Sequence, residues 1–530
     1  MSVETTDILV VGSGFGGAIP AYYLAAGGAR VTILERGPRL AANDFTHSLR
    51  LGTYNRIVDV IRGDGVTVVA GNCVGGGSVV YFAASLRAPA FVFERRGSLG
   101  RRIWPASLTR AALDPWYDRV EGTLPVTRTD WPDVSYAGGV LAAACARTGH
   151  TCNPVPVAVD INRCTNCNWM LSGCRFDAKR SLLLNYLPAA EAHGATIRPL
   201  HEAQTVGPSP IPDYRYTVTY TILDPDDYTC TLQTGTIHAK LVVLAAGAIG
   251  TPVILQRSAI LLGGVHAAVG RYFSGNGDRV SVAEIDESKL HLLLGLSRSD
   301  GIPYEGLPIG RPITAATYDY LDAAAPEYSR FMLQQIYFPP ATNILSQSVD
   351  PPHWFGIPGR RLRARWKSWL TMLAMTEDDN EGFFHAVPPI TGSFTRLAPG
   401  LGLGTMTYRP TARTRDGWQQ ADTALRAILE RDGLARVNPW HEDVAATVTA
   451  HPISSARMGD SPETSALTDT NELRGHPGLF VTDGSAIPTS LTVNPSLTIA
   501  ALAERAAPAI TNRAAQADIP IRHGAPPPTP

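Results

Sequence analysis

The sequence predicts an α/β protein with two domains, one on a parallel sheet and one α+β domain on a mostly antiparallel sheet. Apolar runs at 7–11 and 241–248 each end in a glycine turn, as is typical of strands buried on both faces of a parallel sheet. Between about 280 and 440 the pattern becomes alternating and aromatic, with frequent Pro and Gly, which favours antiparallel strands. Because the two apolar runs lie far apart, the parallel sheet is expected to be discontinuous in sequence.

Length and composition place the chain among ordinary globular proteins. It has 530 residues, 44% hydrophobic and 18% charged, enough for two domains with separate cores. The formal net charge of -1 gives no basic surplus that would favour nucleic acid. Residues 1–7 show no signal-peptide pattern, and the most apolar passage, 241–255, is interrupted by Gly and Pro. We therefore expect a cytoplasmic protein with no transmembrane segment and no nucleic-acid partner.

The N-terminus carries a pattern typical of dinucleotide binding. A G-x-G-x-x-G turn follows the first strand and precedes a helix-compatible segment, and it contains Gly12, Gly14, Phe15 and Gly17. Such glycines permit a tight turn and let backbone approach a pyrophosphate. The next strand, 31–34, ends in Glu35, where a carboxylate can accept hydrogen bonds from ribose hydroxyls. Strand, glycine turn, helix, strand and acid in this order predict a Rossmann-like site.

A second glycine-rich stretch, GNCVGGGS, extends from Gly71 to Ser78 and continues into apolar residues. Gly75, Gly76 and Gly77 lose much conformational freedom on folding, so three together favour backbone held against a flat or charged ligand. A flexible surface loop would usually be flanked by polar residues. We predict that this stretch contacts the same cofactor.

The C-terminal region contains a strand, a turn and a helix start. The run 479–482 predicts a short strand that ends at Asp483-Gly484. Asn494 and Pro495 are typical of a helix N-terminus, with Asn494 as the capping residue and Pro495 as the first helical residue. Such a terminus carries partial positive charge and favours a negative group beside it.

His451 supplies the side chain whose proton affinity suits acid–base chemistry near neutral pH. Together with Asn494 and the helix dipole it predicts a site that removes a proton and a hydride from an alcohol. A core histidine beside an ordinary capped helix explains the same residues, so the sequence pattern alone leaves both interpretations open.

Two further helices follow from local patterns. The amphipathic segment 104–126 predicts a structural helix that begins at Ser107 or Thr109. After the apolar run at 241–248, Thr251-Pro252 is expected to open another helix.

Three clusters are expected to have no catalytic role. The spacing of Cys164 and Cys167 is compatible with zinc or iron–sulfur, but no second pair or nearby histidine completes a site. We therefore favour buried thiols or a local disulfide, and no metal, for the four cysteines Cys152, Cys164, Cys167 and Cys174. Solvated segments are expected for the acidic group Glu377, Asp378, Asp379 and Glu381 and for the basic run at 360–365. The Pro-rich end, 524–530, is expected to be disordered.

With these elements in order, the chain resembles the glucose-methanol-choline (GMC) oxidoreductase family, most of all its bacterial cholesterol-oxidase branch. The resemblance rests on five stretches: GSGFGG at 12–17, GNCVGGGSVV at 71–80, AAGAIGTP at 245–252, HPISSARMG at 451–459 and DGSAIPTSLTVNPSLTIAALAER at 483–505.

The resemblance implies a bound FAD that is not covalently attached, since Val79 stands where some relatives carry a flavin-linked histidine. It implies that the first glycine turn and Glu35 hold the adenosine and pyrophosphate half, with Val206 near the adenine. Gly75–Gly77 would lie beside the isoalloxazine, and Asp483 near the pyrophosphate or ribityl chain. Further implied contacts are Gly71, Ser78, Ala246, Gly247, Gly484, Asn494 and Pro495.

The implied reaction is oxidation of an alcohol to a ketone or aldehyde by hydride transfer to FAD, with oxygen or another acceptor restoring the flavin. His451 would be the general base, and Asn494 would position the substrate hydroxyl. Two alternatives remain open: the same chemistry on a sugar or other polar alcohol, and a non-redox lyase of the hydroxynitrile-lyase type. Members of the cholesterol-oxidase branch also isomerise a steroid double bond with a carboxylate, and the acidic group at 377–381 leaves open whether that step follows here.

These motifs divide the chain into three parts. The FAD-binding domain is expected to comprise 1–90, 195–285 and 440–515, the substrate domain 91–194 and 286–439, and the C-terminal tail 516–530.

Overall fold

The computed structural model describes residues 4–47, 57–97, 100–286, 288–290, 310–337, 368–386, 404–438 and 447–529. The basic run at 360–365 lies outside these residues. The strands are β1 Thr5–Val11, β2 Val31–Leu34, β3 Val58–Arg62, β4 Val66–Gly71, β5 Asn153–Pro154, β6 Thr196–Arg198, β7 His201–Pro208, β8 Tyr216–Leu223, β9 Thr231–Leu244, β10 Arg271–Phe273, β11 Asp278–Ile285, β12 Ala315–Thr317, β13 Phe331–Ile336, β14 Trp369–Thr376, β15 Gly382–Ala386, β16 Gly404–Thr407, β17 Ala435–Val437, β18 Thr447–Thr449 and β19 Leu479–Val481. The α-helices are α1 Phe15–Ala26, α2 Gly77–Val80, α3 Ala90–Phe93, α4 Arg110–Thr123, α5 Tyr136–Arg147, α6 Tyr186–Ala192, α7 Gly247–Arg257, α8 Ala412–Leu429 and α9 Ser496–Gln516.

The predicted parallel sheet is confirmed. It has seven strands in the order β6-β2-β1-β9-β8-β7, and β19 pairs with the end of β9. The strands β6, β2, β1, β9 and β19 pair in parallel, whereas β7 and β8 are antiparallel additions. Because β1 and β19 both lie beside β9, the sheet brings the N-terminal glycine turn next to the C-terminal region.

The predicted antiparallel sheet is also present and has six strands, in the order β17-β11-β14-β13-β12-β5. One of its faces packs against α5 and α8, and the other joins the core of the parallel-sheet domain. β11, at Asp278–Ile285, pairs within this sheet, although residues up to 285 were expected in the FAD-binding domain.

Two smaller sheets connect the glycine-rich stretch to the rest of the fold. β18 pairs in parallel with β4, which ends at Gly71, and β3 completes that sheet. The pairing of Val68 with Thr449 brings His451 close to the second glycine stretch. The other small sheet has the order β10-β15-β16.

Helix starts were predicted with mixed success. α4 begins as expected, with the side chain of Thr109 accepting a hydrogen bond from the Ala112 amide. α7 begins at Gly247 rather than at Thr251, because the Thr251 hydroxyl bonds Asp483 and Pro252 is accommodated inside the helix. Among the residues that the structure describes, no helix is long and apolar enough to cross a membrane.

The C-terminal tail is ordered through residue 529, so the expected disorder is wrong there. The amide of Arg522 donates to the Gly27 carbonyl at 2.8 Å, and the Tyr22 hydroxyl donates to the Pro526 carbonyl at 2.8 Å. The tail packs against the end of α1, where Gly27 leaves room for Ile521. A Pro-rich composition did not reveal these partners because they come from the N-terminal helix.

The acidic group at 377–381 is buried, which contradicts the solvated loop expected from the sequence. Glu377 has no exposed surface and lies 3.3 Å from the guanidinium of Arg330. Asp378 accepts hydrogen bonds from the Ser274 hydroxyl at 2.7 Å and the Tyr408 hydroxyl at 2.9 Å. Burial of carboxylates requires such partners, and here they come from segments distant in sequence.

Candidate active site

The two glycine-rich stretches meet through their backbones. A Cβ added at Gly76, whose φ is +52°, would lie 2.9 Å from the Gly14 Cα. A Cβ at Gly17 would lie 1.9 Å from the Gly12 carbonyl oxygen. A side chain at Gly76 would push the two stretches apart, and one at Gly17 would open the first turn itself, so both positions require glycine. The structure therefore forms a cradle of backbone from two separate parts of the chain.

Ser13 and Glu35 connect this cradle to β2. The Ser13 hydroxyl accepts from the Gly75 amide at 3.0 Å and donates to a Glu35 carboxylate oxygen at 2.6 Å. The amides of Ser13 and Gly37, each at 2.9 Å, also donate to that carboxylate. Burial raises the pKa of Glu35, while these three donors oppose the rise. A carboxylate has about four acceptor positions, so one remains for a further donor.

The end of the second glycine stretch is held by Ser78 and Lys179. The Ser78 hydroxyl donates to the Gly75 carbonyl at 2.7 Å and accepts from the Leu182 amide at 3.0 Å. The buried Lys179 ammonium donates to three backbone carbonyls, those of Val79, Tyr81 and Met170. Sequence reasoning missed Lys179, although an Asp-Ala-Lys-Arg segment after the cysteine cluster was visible.

Asp483 joins the end of β19 to the turn after β9. One of its oxygens accepts from the Gly247 amide at 2.8 Å and the Thr251 hydroxyl at 2.5 Å, and the other from the Ser485 amide at 2.8 Å. The Ala246 amide donates to Thr251 at 3.1 Å. Burial raises the pKa of Asp483, and its donors oppose that rise. Any cofactor contact at this residue is therefore left to its backbone.

The backbone groups of Val206 and Gly484, two predicted cofactor contacts, already form hydrogen bonds within the protein. Val206 is fully buried on β7, and its amide donates to the Ser258 hydroxyl at 2.8 Å, so that amide is already occupied. The Gly484 carbonyl accepts from the Ser454 amide at 3.0 Å. This bond connects the turn after β19 to the segment that follows His451.

His451 is held by a carboxylate that sequence reasoning did not find. Its Nδ1 lies 3.0 and 2.9 Å from the two side-chain oxygens of Asp278, which is only 2% exposed. The Thr449 hydroxyl also donates to Asp278, at 2.8 Å, and accepts from the His451 amide at 2.9 Å. Because a carboxylate accepts the Nδ1 proton, the neutral imidazole has its lone pair on Nε2.

Asn494 does not cap α9 as predicted. α9 begins at Ser496, with Pro495 in the N-cap position and no side-chain cap. The Asn494 carboxamide instead turns to the histidine, with Nδ2 3.3 Å from His451 Nε2. Its Oδ1 is buried and has no hydrogen-bond partner within the described part of the chain. The predicted pair is thus brought together, and one acceptor beside it is left for a bound molecule.

Asn276 fixes the backbone that leads to Asn494. Its side chain donates to the Val493 carbonyl at 2.9 Å and accepts from the Leu491 amide at 2.7 Å. The Ser274–Asp278 turn therefore holds the asparagine through Asn276 and the histidine through Asp278. Its sequence, SGNGD, gave only a turn signal because both partners lie far along the chain.

Two observations show that the residues of this site are suited to hold FAD. The paired glycine turns leave a backbone surface where a Cβ would intrude, and Glu35 keeps an acceptor position at the end of β2. The unpartnered Asn494 oxygen lies at the N-terminus of α9, where a polar group can bind.

The cysteines form no disulfide in the structure. All seven are free, and Cys152, Cys164, Cys167 and Cys174 are only partly buried. The local disulfide that was one expectation is therefore wrong, and the alternative of buried thiols is met only in part. Among the described residues no group of His, Cys, Asp and Glu has a geometry suited to a metal ion.

Curated relatives of known name align over nearly the whole chain. The cholesterol oxidase of Mycobacterium tuberculosis is 26% identical over 570 residues, covering 94% of this chain and 90% of the relative. A long-chain-alcohol oxidase of Arabidopsis thaliana is 24% identical over 553 residues, covering 96% of this chain and 66% of the relative.

Solved structures of the same fold cover the chain equally well. Pyridoxine 4-oxidase from Mesorbium loti superposes with a TM-score of 0.66 at 17% identity, covering 95% of this chain and 98% of its own. A fungal aryl-alcohol oxidase gives 0.63 at 15% identity, covering 97% and 99%. At these identities the likeness concerns the fold alone.

The sequence pattern of GMC oxidoreductases matches in both halves of the chain, at residues 6–274 and 403–503. These ranges contain both glycine turns, His451 and Asn494. The chain therefore belongs to the GMC oxidoreductase family and is an FAD-dependent oxidoreductase that acts on CH–OH groups.

Proposed function

We propose that this protein oxidises a largely apolar alcohol to a ketone or aldehyde, with His451 as the general base and Asn494 positioning the hydroxyl. The observation that supports the proposal best is the hydrogen-bonded series Asp278–His451–Asn494, which leaves an imidazole acceptor and a carboxamide side by side. The two glycine turns would hold FAD, which would supply the redox chemistry as the hydride acceptor.

His451 is arranged to accept a proton at Nε2. Asp278 accepts the Nδ1 proton, and the nearby Asn494 amide donates toward Nε2, so the neutral ring carries its lone pair on Nε2. A substrate hydroxyl that binds here gives its proton to Nε2. The imidazolium that forms is then stabilised by the buried carboxylate of Asp278, as in other histidine–carboxylate pairs.

Asn494 is arranged to bind the substrate oxygen. Its carboxamide is 5% exposed and lies at the start of α9, whose partial positive charge favours negative charge developing nearby. Fixing the hydroxyl between Asn494 and His451 orients the carbinol hydrogen, and such positioning contributes several kcal/mol in general.

FAD attachment is proposed to be non-covalent. Val79 occupies the position after Ser78, is 1% exposed and offers no nucleophilic atom to a flavin ring. Denaturing the holoenzyme should release the yellow colour into the filtrate of a membrane that retains protein. Colour that stays with the denatured chain would contradict this attachment.

The substrate is proposed to be apolar rather than sugar-like. The face of the antiparallel sheet that joins the FAD-binding domain carries Met332, Ile336, Leu373 and Met375, all in the core shared by the two domains. The names of the relatives, cholesterol oxidase and long-chain-alcohol oxidase, agree with such a substrate.

Anaerobic mixing of the holoenzyme with primary, secondary, sterol and sugar alcohols tests the proposal. We expect an apolar alcohol to bleach the flavin, and peroxide on admitting air would identify oxygen as acceptor. His451→Ala and Asn494→Leu should keep FAD bound and reduce it much more slowly. Wild-type reduction rates in either variant would rule out the role of that residue, and a protein that no alcohol bleaches would favour the lyase alternative.

A further inference from the structure

Two adjacent glutamines in β13 have opposite hydrogen-bonding environments. Gln335 is fully buried, and its carboxamide accepts from the Thr314 amide and hydroxyl at 3.2 and 3.0 Å and donates to the Pro312 carbonyl at 2.9 Å. Gln334 is equally buried, yet neither its Oε1 nor its Nε2 has a hydrogen-bond partner among the residues that the structure describes. A buried amide that lacks every partner is unusual and calls for an explanation.

The alternation of β13 decides which way Gln334 faces. Phe331 and Leu333 belong to the cluster that includes residues of α5 and α8. Met332 and Ile336 belong to the core shared with the parallel-sheet domain. Since successive side chains of a strand point to opposite faces, Gln334 faces the FAD-binding domain together with Met332 and Ile336.

The sheet register places Gln334 on the same face as Asp278. Gln334 pairs with Leu373 on β14, and Leu373 pairs with Val280 on β11, two residues from Asp278. Two strand spacings and one two-residue step separate the Cα atoms of Gln334 and Asp278 by roughly 12 Å. Between them lie Leu373 and Met375, which are apolar.

We propose that Gln334 binds a second polar group of the substrate, at the end of the molecule opposite the reacting alcohol. This inference rests on the proposed function, because His451 defines where the reacting end lies. The substrate class is an elongated, rigid, otherwise apolar alcohol that carries a carbonyl or hydroxyl at its far end. A carboxamide suits either group, since it offers one acceptor and two donors.

The unpaired amide is destabilising in the free protein, and a substrate that supplies the missing partner removes this cost. A site with a buried hydrogen-bonding group discriminates against analogues that lack the partner. One neutral hydrogen bond corresponds to a preference of about 3- to 10-fold between matched ligands. The apolar residues between Gln334 and Asp278 then account for the body of the substrate.

The first test measures thermal stability of the holoenzyme and needs no substrate. Gln334→Met keeps the length of the side chain and removes the unpaired amide, so its melting temperature should equal or exceed that of the wild type. Gln335→Met, the matched control, leaves Thr314 and Pro312 without partners and should melt at a lower temperature. A loss in Gln334→Met as large as that in Gln335→Met would show a structural role and overturn the proposal.

The second test compares two saturated hydroxysteroids that differ only in a ketone on the ring opposite the hydroxyl. Anaerobic flavin reduction by the wild type should favour the ketone-bearing probe by about 3- to 10-fold in kcat/KM, mostly through binding. Gln334→Met should lose or reverse this preference, and Gln335→Met should keep it. An equal ratio in wild type and Gln334→Met would overturn the proposal.

The outcomes separate this inference from the proposed function. If short alcohols bleach the flavin and neither steroid does, the elongated substrate is wrong and the alcohol oxidation stands. If no alcohol bleaches the flavin, the proposed function itself fails, and with it the assignment of Gln334 as a substrate residue.

Discussion

Replacing Asp278 with Asn tests whether the carboxylate behind His451 sets the rate of proton removal. Both Asp278 oxygens lie within 3.0 Å of His451 Nδ1, and the side chain is 2% exposed, so water weakens the contact little. A hydrogen bond to a charged group contributes about 1.5–3 kcal/mol, and each 1.36 kcal/mol changes a rate about tenfold. Asp278→Asn should therefore slow flavin reduction by about 10- to 150-fold.

Stopped-flow reduction of the holoenzyme under anaerobic conditions, at saturating alcohol and across pH, measures this effect. The fall should appear in kcat more than in KM, because the carboxylate mainly stabilises the imidazolium formed during the reaction. FAD content should stay that of the wild type.

Asp422→Asn is the matched control. Asp422 accepts from the Arg279 guanidinium at 2.7 Å and from the Ser281 hydroxyl at 2.7 Å. Both donors belong to β11 and lie on the face of the strand opposite to Asp278. This variant should lose stability and keep the reduction rate. A wild-type rate of flavin reduction in Asp278→Asn would refute the assignment of Asp278 as the positioning residue of His451.

Three further variants test the cofactor cradle and two buried charges. Gly76→Ala should lose about 1–3 kcal/mol of stability and retain less FAD, since its Cβ would lie 2.9 Å from Gly14; the flavin-to-protein absorbance ratio and thermal unfolding measure this. Lys179→Met should lose about 1–3 kcal/mol in denaturant unfolding, because three buried carbonyls lose their donor. Burial raises the pKa of Glu381 to about 7, so its stabilising contribution is complete below its ordinary pKa and is lost as pH rises through about 7. Relative to the wild type, Glu381→Gln should therefore gain about 3 kcal/mol of stability near pH 8 and less than about 1 kcal/mol near pH 5.

Each of these has a result that would contradict it. Gly139→Ala, where a Cβ meets nothing within 4 Å, controls for the glycine substitution and should leave FAD content unchanged. Full flavin retention in Gly76→Ala would argue against a backbone cradle. A Lys179→Met protein as stable as the wild type would show that the three carbonyls do not depend on the ammonium. If the unfolding free energies of Glu381→Gln and the wild type change with pH in parallel, Glu381 is not the titrating group.

The local sequence determined the elements whose signals are local. The buried run at 7–11, the glycine turn after it and Glu35 specified the parallel strand, the cradle and the acid, because each depends on neighbours close in the chain. Sequence also supplied His451 and Asn494, although the reason given for Asn494 was wrong. It was expected to cap a helix, and it turns to the histidine instead.

Only the tertiary structure decided which polar groups serve the site. In the sequence, Asp278 is only the last residue of a Gly-rich turn. In the structure, β11 and β18 place it against His451. Gln334 and Gln335 are indistinguishable in sequence, and sheet register alone leaves one paired and the other unpaired. Sequence periodicity specifies which residues are buried, whereas partners distant along the chain meet only through strand pairing and domain packing, and these contacts decide what a buried polar group can do.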